Sequence, residues 1–310
     1  MQTLYSYHPQ KQTARNLQGS ERLLESSHKT MHRHIRRRLI SGLFVIVAIS
    51  LFIAWSGVLA PKQSAKASQT AEANAVATAP ALERNATIAS LIAKNSQYQI
   101  GVTVESVASG QQQTYGITTP FEAASTAKLI TAAAYYHLAE QGQASLTAML
   151  GAYPASYQLQ QMVNQSNNES WNLLVDAIGL STVQSYADSI GVAYGTDGNT
   201  LPPSAMATFL TKLYNGQLLN SADTAQLLGY MQDTNDETLI PAVVPSDMTV
   251  YHKYGLLNGE LHDVAILTKG NTAYAIVVYT KDADDSTDDD RTTIIHQITQ
   301  ATISQLFNES

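Results

Sequence analysis

Apolar residues follow two regimes along this chain. From residue 39 to residue 60 they form one unbroken run, LISGLFVIVAISLFIAWSGVLA, with no charge in 22 positions. Beyond residue 81 they recur in short periods. A spacing of three to four residues predicts helices over 82–95, 125–140, 156–164, 169–178, 181–190, 203–214, 221–231 and 288–307. Alternation predicts a strand over 98–107, a second one through Tyr115 after a Ser109-Gly110 turn, and three more over 249–254, 261–268 and 272–280. Strands at both ends with helices between them imply an α+β build. The terminal strands share one antiparallel sheet flanked by helices, and the helical middle forms a second, all-helical lobe. A cleft between the lobes is the expected place for chemistry.

The long apolar run is a different object. As a helix it would extend roughly 30 Å, the thickness of a bilayer's hydrocarbon core. A cleaved signal peptide has a shorter apolar stretch nearer the N-terminus, and a buried core helix rarely runs so far without a charge. Arg33, Arg36, Arg37 and Arg38 crowd its leading edge, so the positive-inside rule leaves the N-terminus in the cytoplasm. The expected organisation is a basic cytoplasmic tail at 1–38, one transmembrane helix at 39–60, an Ala/Ser/Gln-rich linker at 61–81 and a folded domain at 82–310. The expected location is the cell membrane, single-pass, with the C-terminal domain extracytoplasmic.

Charge supports that division. The tail carries eight Lys/Arg against two acids, a balance of +6, whereas residues 61–310 carry ten against 23, a balance of −13. An acidic body argues against nucleic acid as a partner. No cysteine is present, which excludes a disulfide scaffold, a cysteine nucleophile and thiolate metal sites. His137, His252, His262 and His296 have no metal-ligand spacing, and no metal or cofactor is expected.

Candidate chemistry begins at Ser125-Thr126-Ala127-Lys128. A serine in the first turn of a helix sets its hydroxyl where free N–H groups and the helix dipole favour a developing oxyanion. A lysine three residues on shares that face, and burial or a neighbouring cation lowers its pKa enough to make it a base. An N-cap serine beside a solvent-facing lysine is the plainer reading of these four residues alone. Two further segments change the weighting. Gln165-Ser166-Asn167-Asn168 interrupts two helices, and Val250-Tyr251-His252-Lys253-Tyr254-Gly255 sets a lysine before a glycine at a strand end. Such a lysine presents a charge to a substrate carboxylate, and the glycine lets a substrate approach the backbone as an added strand.

Taken in order, STAK, SNN and KYG resemble the Ser-x-x-Lys, Ser-Asp-Asn and Lys-Thr/Ser-Gly motifs of the penicillin-recognising serine enzymes, closest to the class A β-lactamase branch. The flanks FEAASTAKL, NQSNNESWNLLVDAIG, LPPSAMATFLTKLYNG, LIPAVVP and HKYGLLNGELHDVAIL carry the likeness over about residues 85–307. The resemblance implies a β-lactamase-like fold and a serine hydrolase acting on β-lactams, with D,D-peptidase action on a cell-wall stem peptide or covalent capture without turnover as alternatives. It implies roles by position. Ser125 is the acylated nucleophile, Lys128 takes its proton, and Ser166 relays a proton to the leaving nitrogen. Asn168 holds a substrate amide, Lys253 with Tyr254 and Gly255 anchors the substrate carboxylate, and the amides of Ser125 and Leu256 form the oxyanion hole.

Three positions depart from the family pattern. Asn167 replaces an acid, and Tyr254 replaces a threonine or serine. The family's loop with a deacylating glutamate is shortened to GVAYGTDGNTLP, in which Asp197 is the single acid and reads as a turn residue. Slow deacylation is therefore expected. The acidic run from Asp282 to Asp290 lacks the glycine and glutamate of a calcium loop and reads as a solvated segment leading into the last helix. Tyr135, Tyr136 and Trp171, on helices, read as core.

Overall fold

The computed structural model describes residues 82–282 and 290–307. The expected tail, membrane helix and linker lie outside the described residues, as does the acidic run between residues 283 and 289. Among the described residues, no helix is long and apolar enough to cross a membrane.

Helix α1 (Ala86–Lys94) starts late in its predicted span because Asn85 caps it, accepting from the amides of Thr87 and Ile88. Strands β1 (Gln99–Ser106) and β2 (Gln112–Gly116) follow, then the short β3 (Phe121–Glu122). The predicted 125–140 helix divides into a 3-10 turn, Ala124–Ala127, and α2 (Lys128–Glu140). A small hairpin of β4 (Met149–Leu150) and β5 (Tyr153–Pro154) opens the helical middle. That middle comprises α3 (Ala155–Asn164), α4 (Asn168–Ile178), α5 (Leu180–Ser189), β6 (Thr200–Leu201), α6 (Pro203–Tyr214) and α7 (Ser221–Tyr230). A 3-10 turn at Ile240–Val243 precedes β7 (Thr249–Leu257), β8 (Glu260–Lys269) and β9 (Thr272–Lys281), and α8 (Asp290–Leu306) closes the domain.

The five long strands form one antiparallel sheet in the order β2-β1-β9-β8-β7. The first and last strands meet as expected: Val102 stands opposite Val278, and Val104 opposite Ile276. Both sheet faces are covered, and the two-residue period of the strands sorts their side chains between two cores. Val264, Ile266, Ala275, Val277 and Tyr279 join the helical body of α2–α7. Their alternates Ala265, Leu267, Ile276 and Val278 join Ile88 of α1 and Ile294, Ile295 and Ile298 of α8. The α+β build expected from the pattern, an antiparallel sheet flanked by helices, is therefore present, and the helical middle shares one core with a sheet face. Strand β7 lies at the sheet edge, and the turn bearing Ser125 packs beside it.

Candidate active site

The turn at Ser125 is held from several directions. Ala124, just before it, has φ 48°, a left-handed conformation that costs a β-carbon-bearing residue about 1 kcal/mol or more. The surrounding bonds hold it there. The Ala123 amide donates to Asn199 O at 2.7 Å, and Asn199 Nδ2 donates to Ala124 O at 3.0 Å. Thr126, fully buried, bonds Ala123 O at 2.6 Å and shares a hydrogen with Tyr279 Oη at 2.9 Å. Pairing of Phe121 with Leu201 and of Glu122 with Thr200 ties the same segment to the loop before α6.

Lys128, the first residue of α2, is buried, and its Nζ has three groups within 3.0 Å. It lies 3.0 Å from Ser125 Oγ and donates to Ser166 O and to Asn168 Oδ1, each at 2.6 Å. Those two oxygens can only accept. A neutral amine has two N–H donors and one lone pair, so the oxygens take both donors and the lone pair is left for the Ser125 hydroxyl. Burial, by disfavouring the ammonium, lowers the Lys128 pKa to about 8. This geometry suits removal of a proton from Ser125.

Ser166 sits between α3 and α4 with φ 53°, its Oγ 3.5 Å from Lys128 Nζ. Asn167, where the family has an acid, caps α4 by accepting from the Ser170 amide at 2.9 Å. Asparagine and aspartate cap about equally well, so this departure leaves the local structure unchanged.

Lys253 and Tyr254 behave differently from expectation. Lys253 is fully buried. Its Nζ donates to Tyr254 O at 3.0 Å and lies 4.1 Å from the centre of the Tyr254 ring. Burial, and then the charge of Lys128, lower its pKa to about 7. The space left by the missing side chain of Gly255 is filled by the nucleophile's own turn. A β-carbon there would stand 3.1 Å from both Ser125 N and Ala124 Cβ. The glycine thus serves first to let β7 close onto Ser125, whereas the sequence suggested room for a substrate.

A cleft of about 390 Å³ opens over these groups, bordered by Ser125, Lys128 and Asn168 and by the half-exposed Leu256. Residues 83–307 match the beta-lactamase enzyme family, a stretch that takes in almost all of the described domain. The chain belongs to that family. The fold of this beta-lactamase-family chain is similar to that of a mutant class A β-lactamase of the last common ancestor of Gram-negative bacteria. That pair shares 22% identity over 72% of this chain and 100% of the other, with a TM-score of 0.66. PBP-A is similar at 22% identity, 75% and 100% coverage and a TM-score of 0.67. A PBP-A mutant solved as an acyl-enzyme complex with penicillin G gives 22%, 72% and 95% coverage, and 0.65.

Several residues of the family site were not foreseen. Asn199, Tyr194 and Thr196 of the shortened loop border the cleft, and Asn199 Oδ1 accepts from Tyr194 Oη at 3.0 Å. Trp171, expected in the core with Tyr135 and Tyr136, also borders the cleft and donates to Thr131 Oγ1 at 3.3 Å, whereas the two tyrosines are buried. Asp197 is exposed in a turn and does not reach the cleft. His252, beside Lys253, is buried with Nδ1 3.0 Å from Asp263 Oδ1, and its Nε2 lies 2.9 Å from Thr234 Oγ1 and 3.1 Å from Glu237 Oε1. Burial opposes its charge, but Asp263 and then Glu237 outweigh it and raise its pKa. The available signal for this network was a histidine, not an apolar residue, in the centre of a strand pattern.

Proposed function

We propose that this protein is a membrane-anchored, extracytoplasmic serine hydrolase that is acylated at Ser125 by β-lactams and releases the product slowly. The reading rests on one observation, the 3.0 Å contact between Lys128 Nζ and Ser125 Oγ, with Ser166 O and Asn168 Oδ1 each accepting from the same nitrogen at 2.6 Å. The Ser125 proton passes to Lys128 as the Oγ–carbonyl bond forms. The lactam C–N bond then breaks, and the proton reaches the leaving nitrogen through the Ser166 hydroxyl. The amides of Ser125 and Leu256 hold the oxyanion. Asn168 orients the acyl amide, and Lys253 with Tyr254 and Gly255 lies at the substrate's carboxylate end. The PBP-A mutant carrying penicillin G as an acyl-enzyme supports the same covalent chemistry on a similar fold.

Intact-protein mass spectrometry after incubation with penicillin G tests the reading. A single adduct lost in Ser125→Ala is the expected result, and equal labelling of both proteins would remove Ser125 as the nucleophile. A second reading, D,D-peptidase-like action on a cell-wall stem peptide, is favoured by the loop before α6, whose single acid is the exposed Asp197. Membrane anchoring rests on the uncharged run 39–60 and its flanking arginines. Protease added to intact spheroplasts should digest the domain that follows, and full protection would invert the orientation.

A further inference from the structure

The lysine that should meet a substrate carboxylate is covered. Lys253 Nζ is fully buried, and the cleft bordered by Ser125 and Lys128 is not bordered by Lys253 or Tyr254 among the described residues. The Tyr254 ring, centred 4.1 Å from Nζ, presents its electron-rich face to the amine. The ring is also tethered at the surface, where the exposed Asn235 donates through Nδ2 to Tyr254 Oη at 3.1 Å.

The latch stands on the site's own framework. The Asn235 amide donates to Asn164 O at 3.2 Å, at the end of α3 and two residues before Ser166. Asn164 Nδ2 donates in turn to the carbonyls of Tyr230, Gln232 and Asp233, and so gathers the turn that carries Asn235. A threonine or serine at 254, as in the family motif, has neither the ring to cover Nζ nor the reach to bond Asn235.

We propose that Tyr254 is a gate and the specificity-determining residue of this site: latched by Asn235, its ring withholds the Lys253 amine from substrate carboxylates. The inference rests on the Ser125 acylation reading for its substrate class. A carboxylate-bearing acyl donor must first swing the ring aside, which breaks both the ring–amine contact and the Asn235 hydrogen bond. A donor without that charge gains nothing from opening the gate and reacts with it shut. Tyr254 therefore lowers the advantage that the Lys253 amine would otherwise give a carboxylate-bearing β-lactam.

The test compares a fluorescent penicillin with its carboxyl methyl ester on wild type, Tyr254→Thr and Asn235→Ala. The ratio of the two acylation rate constants, acid over ester, should rise at least tenfold in Tyr254→Thr and several-fold in Asn235→Ala, which removes the latch and keeps the ring. An unchanged or reduced ratio in both variants overturns the gate. Absence of any adduct in all three proteins overturns the Ser125 reading instead, and a second readout still tests the gate. Acetylation of Lys253 by N-acetoxysuccinimide at pH 8, followed by peptide mass mapping, should increase at least fivefold in Tyr254→Thr. Equal acetylation would show that the ring does not cover the amine.

Discussion

Gly255 and Ser125 meet backbone to backbone: a β-carbon at 255 would lie 3.1 Å from the Ser125 amide nitrogen. That closeness joins strand β7 to the nucleophile's turn and sets where an oxyanion can be received. The neighbours are main-chain atoms and the Ala124 β-carbon, in a turn already held in a left-handed conformation, so none of them can swing away.

Gly255→Ala should therefore push the Ser125 turn a few tenths of an ångström away from β7. Overpacking of this kind costs about 1–3 kcal/mol. Misplacing a reacting group by an ångström slows its chemistry by about a hundredfold. Penicillin labelling should fall by at least roughly tenfold with the variant still folded, as checked by circular dichroism. A variant that labels at the wild-type rate would mean that the Ser125 amide tolerates the displacement.

Lys128 and Lys253 together set a pH profile. Acylation needs Lys128 neutral, and pairing with a carboxylate needs Lys253 charged, with pKa values lowered to about 8 and about 7. The limiting acylation rate at saturating penicillin should rise with pH and level off above 8, because the neutral fraction of Lys128 falls tenfold per unit below its pKa. The second-order constant should peak between 7 and 8, since Lys253 loses its proton as Lys128 becomes competent. Stopped-flow labelling from pH 6 to 9 reads both quantities. A limiting rate flat across that range would show that Lys128 is not the base, and Lys128→Ala should slow labelling by roughly 10²–10⁴-fold.

The pattern of apolar positions carried most of the architecture. Helix α6 begins at Pro203 and ends at Tyr214, its predicted bounds, because proline suits a first helical turn and the apolar period is unbroken. Strands β8 and β9 were visible because each carries an apolar stretch buried on both faces, VAIL at 264–267 and AIVVY at 275–279. The pairs β3–β6 and β4–β5 were not, since two residues hold no period and Phe121 meets Leu201 across 80 positions. In the site, Ser125, Lys128 and Asn168 were legible because two short motifs, STAK and SNN, carry them. Asn199 and Asn235 were not. Each is an ordinary turn asparagine until the fold brings it to Ala124 or Tyr254.

Asn199 deserves its own test for that reason. Its side chain bridges Ala124 O and Tyr194 Oη, and its backbone holds φ 48°, which asparagine adopts more readily than alanine. Asn199→Ala leaves two partly buried groups without partners, at a cost of about 1–3 kcal/mol. In a domain of this size the melting temperature should drop by roughly 2–12 °C. Labelling should slow as Ala124 relaxes. A variant with unchanged melting and labelling would show that the backbone pairing and the Thr126 bonds hold the nucleophile turn without the Asn199 side chain.

The loop between α5 and α6 bears on turnover, the slow step of the proposed reaction. Hydrolysis of a Ser125 ester requires a base within hydrogen-bond reach of a water aimed at the carbonyl. The loop between α5 and α6 offers the cleft Tyr194, Thr196 and Asn199, none of which is a base near neutral pH, and Asp197 points from an exposed turn. Among the described residues the carboxylate residue that borders the cleft is Glu122 of β3, and Glu122→Gln should release product at the wild-type rate if it does not serve as the base. Lys128 is engaged by Ser166 O and Asn168 Oδ1 and is suited to the proton of Ser125. Losing a positioned base raises the deacylation barrier by about 3–5 kcal/mol, a slowing of roughly 10²–10⁴-fold. A chromogenic cephalosporin should therefore give a burst of about one opening per protein, followed by slow release, and the adduct should persist on the mass-spectrometric timescale. Asp197→Ala should leave both phases unchanged. Rapid steady-state hydrolysis would refute slow release, and its loss in Asp197→Ala would show that the turn swings inward to supply the missing carboxylate.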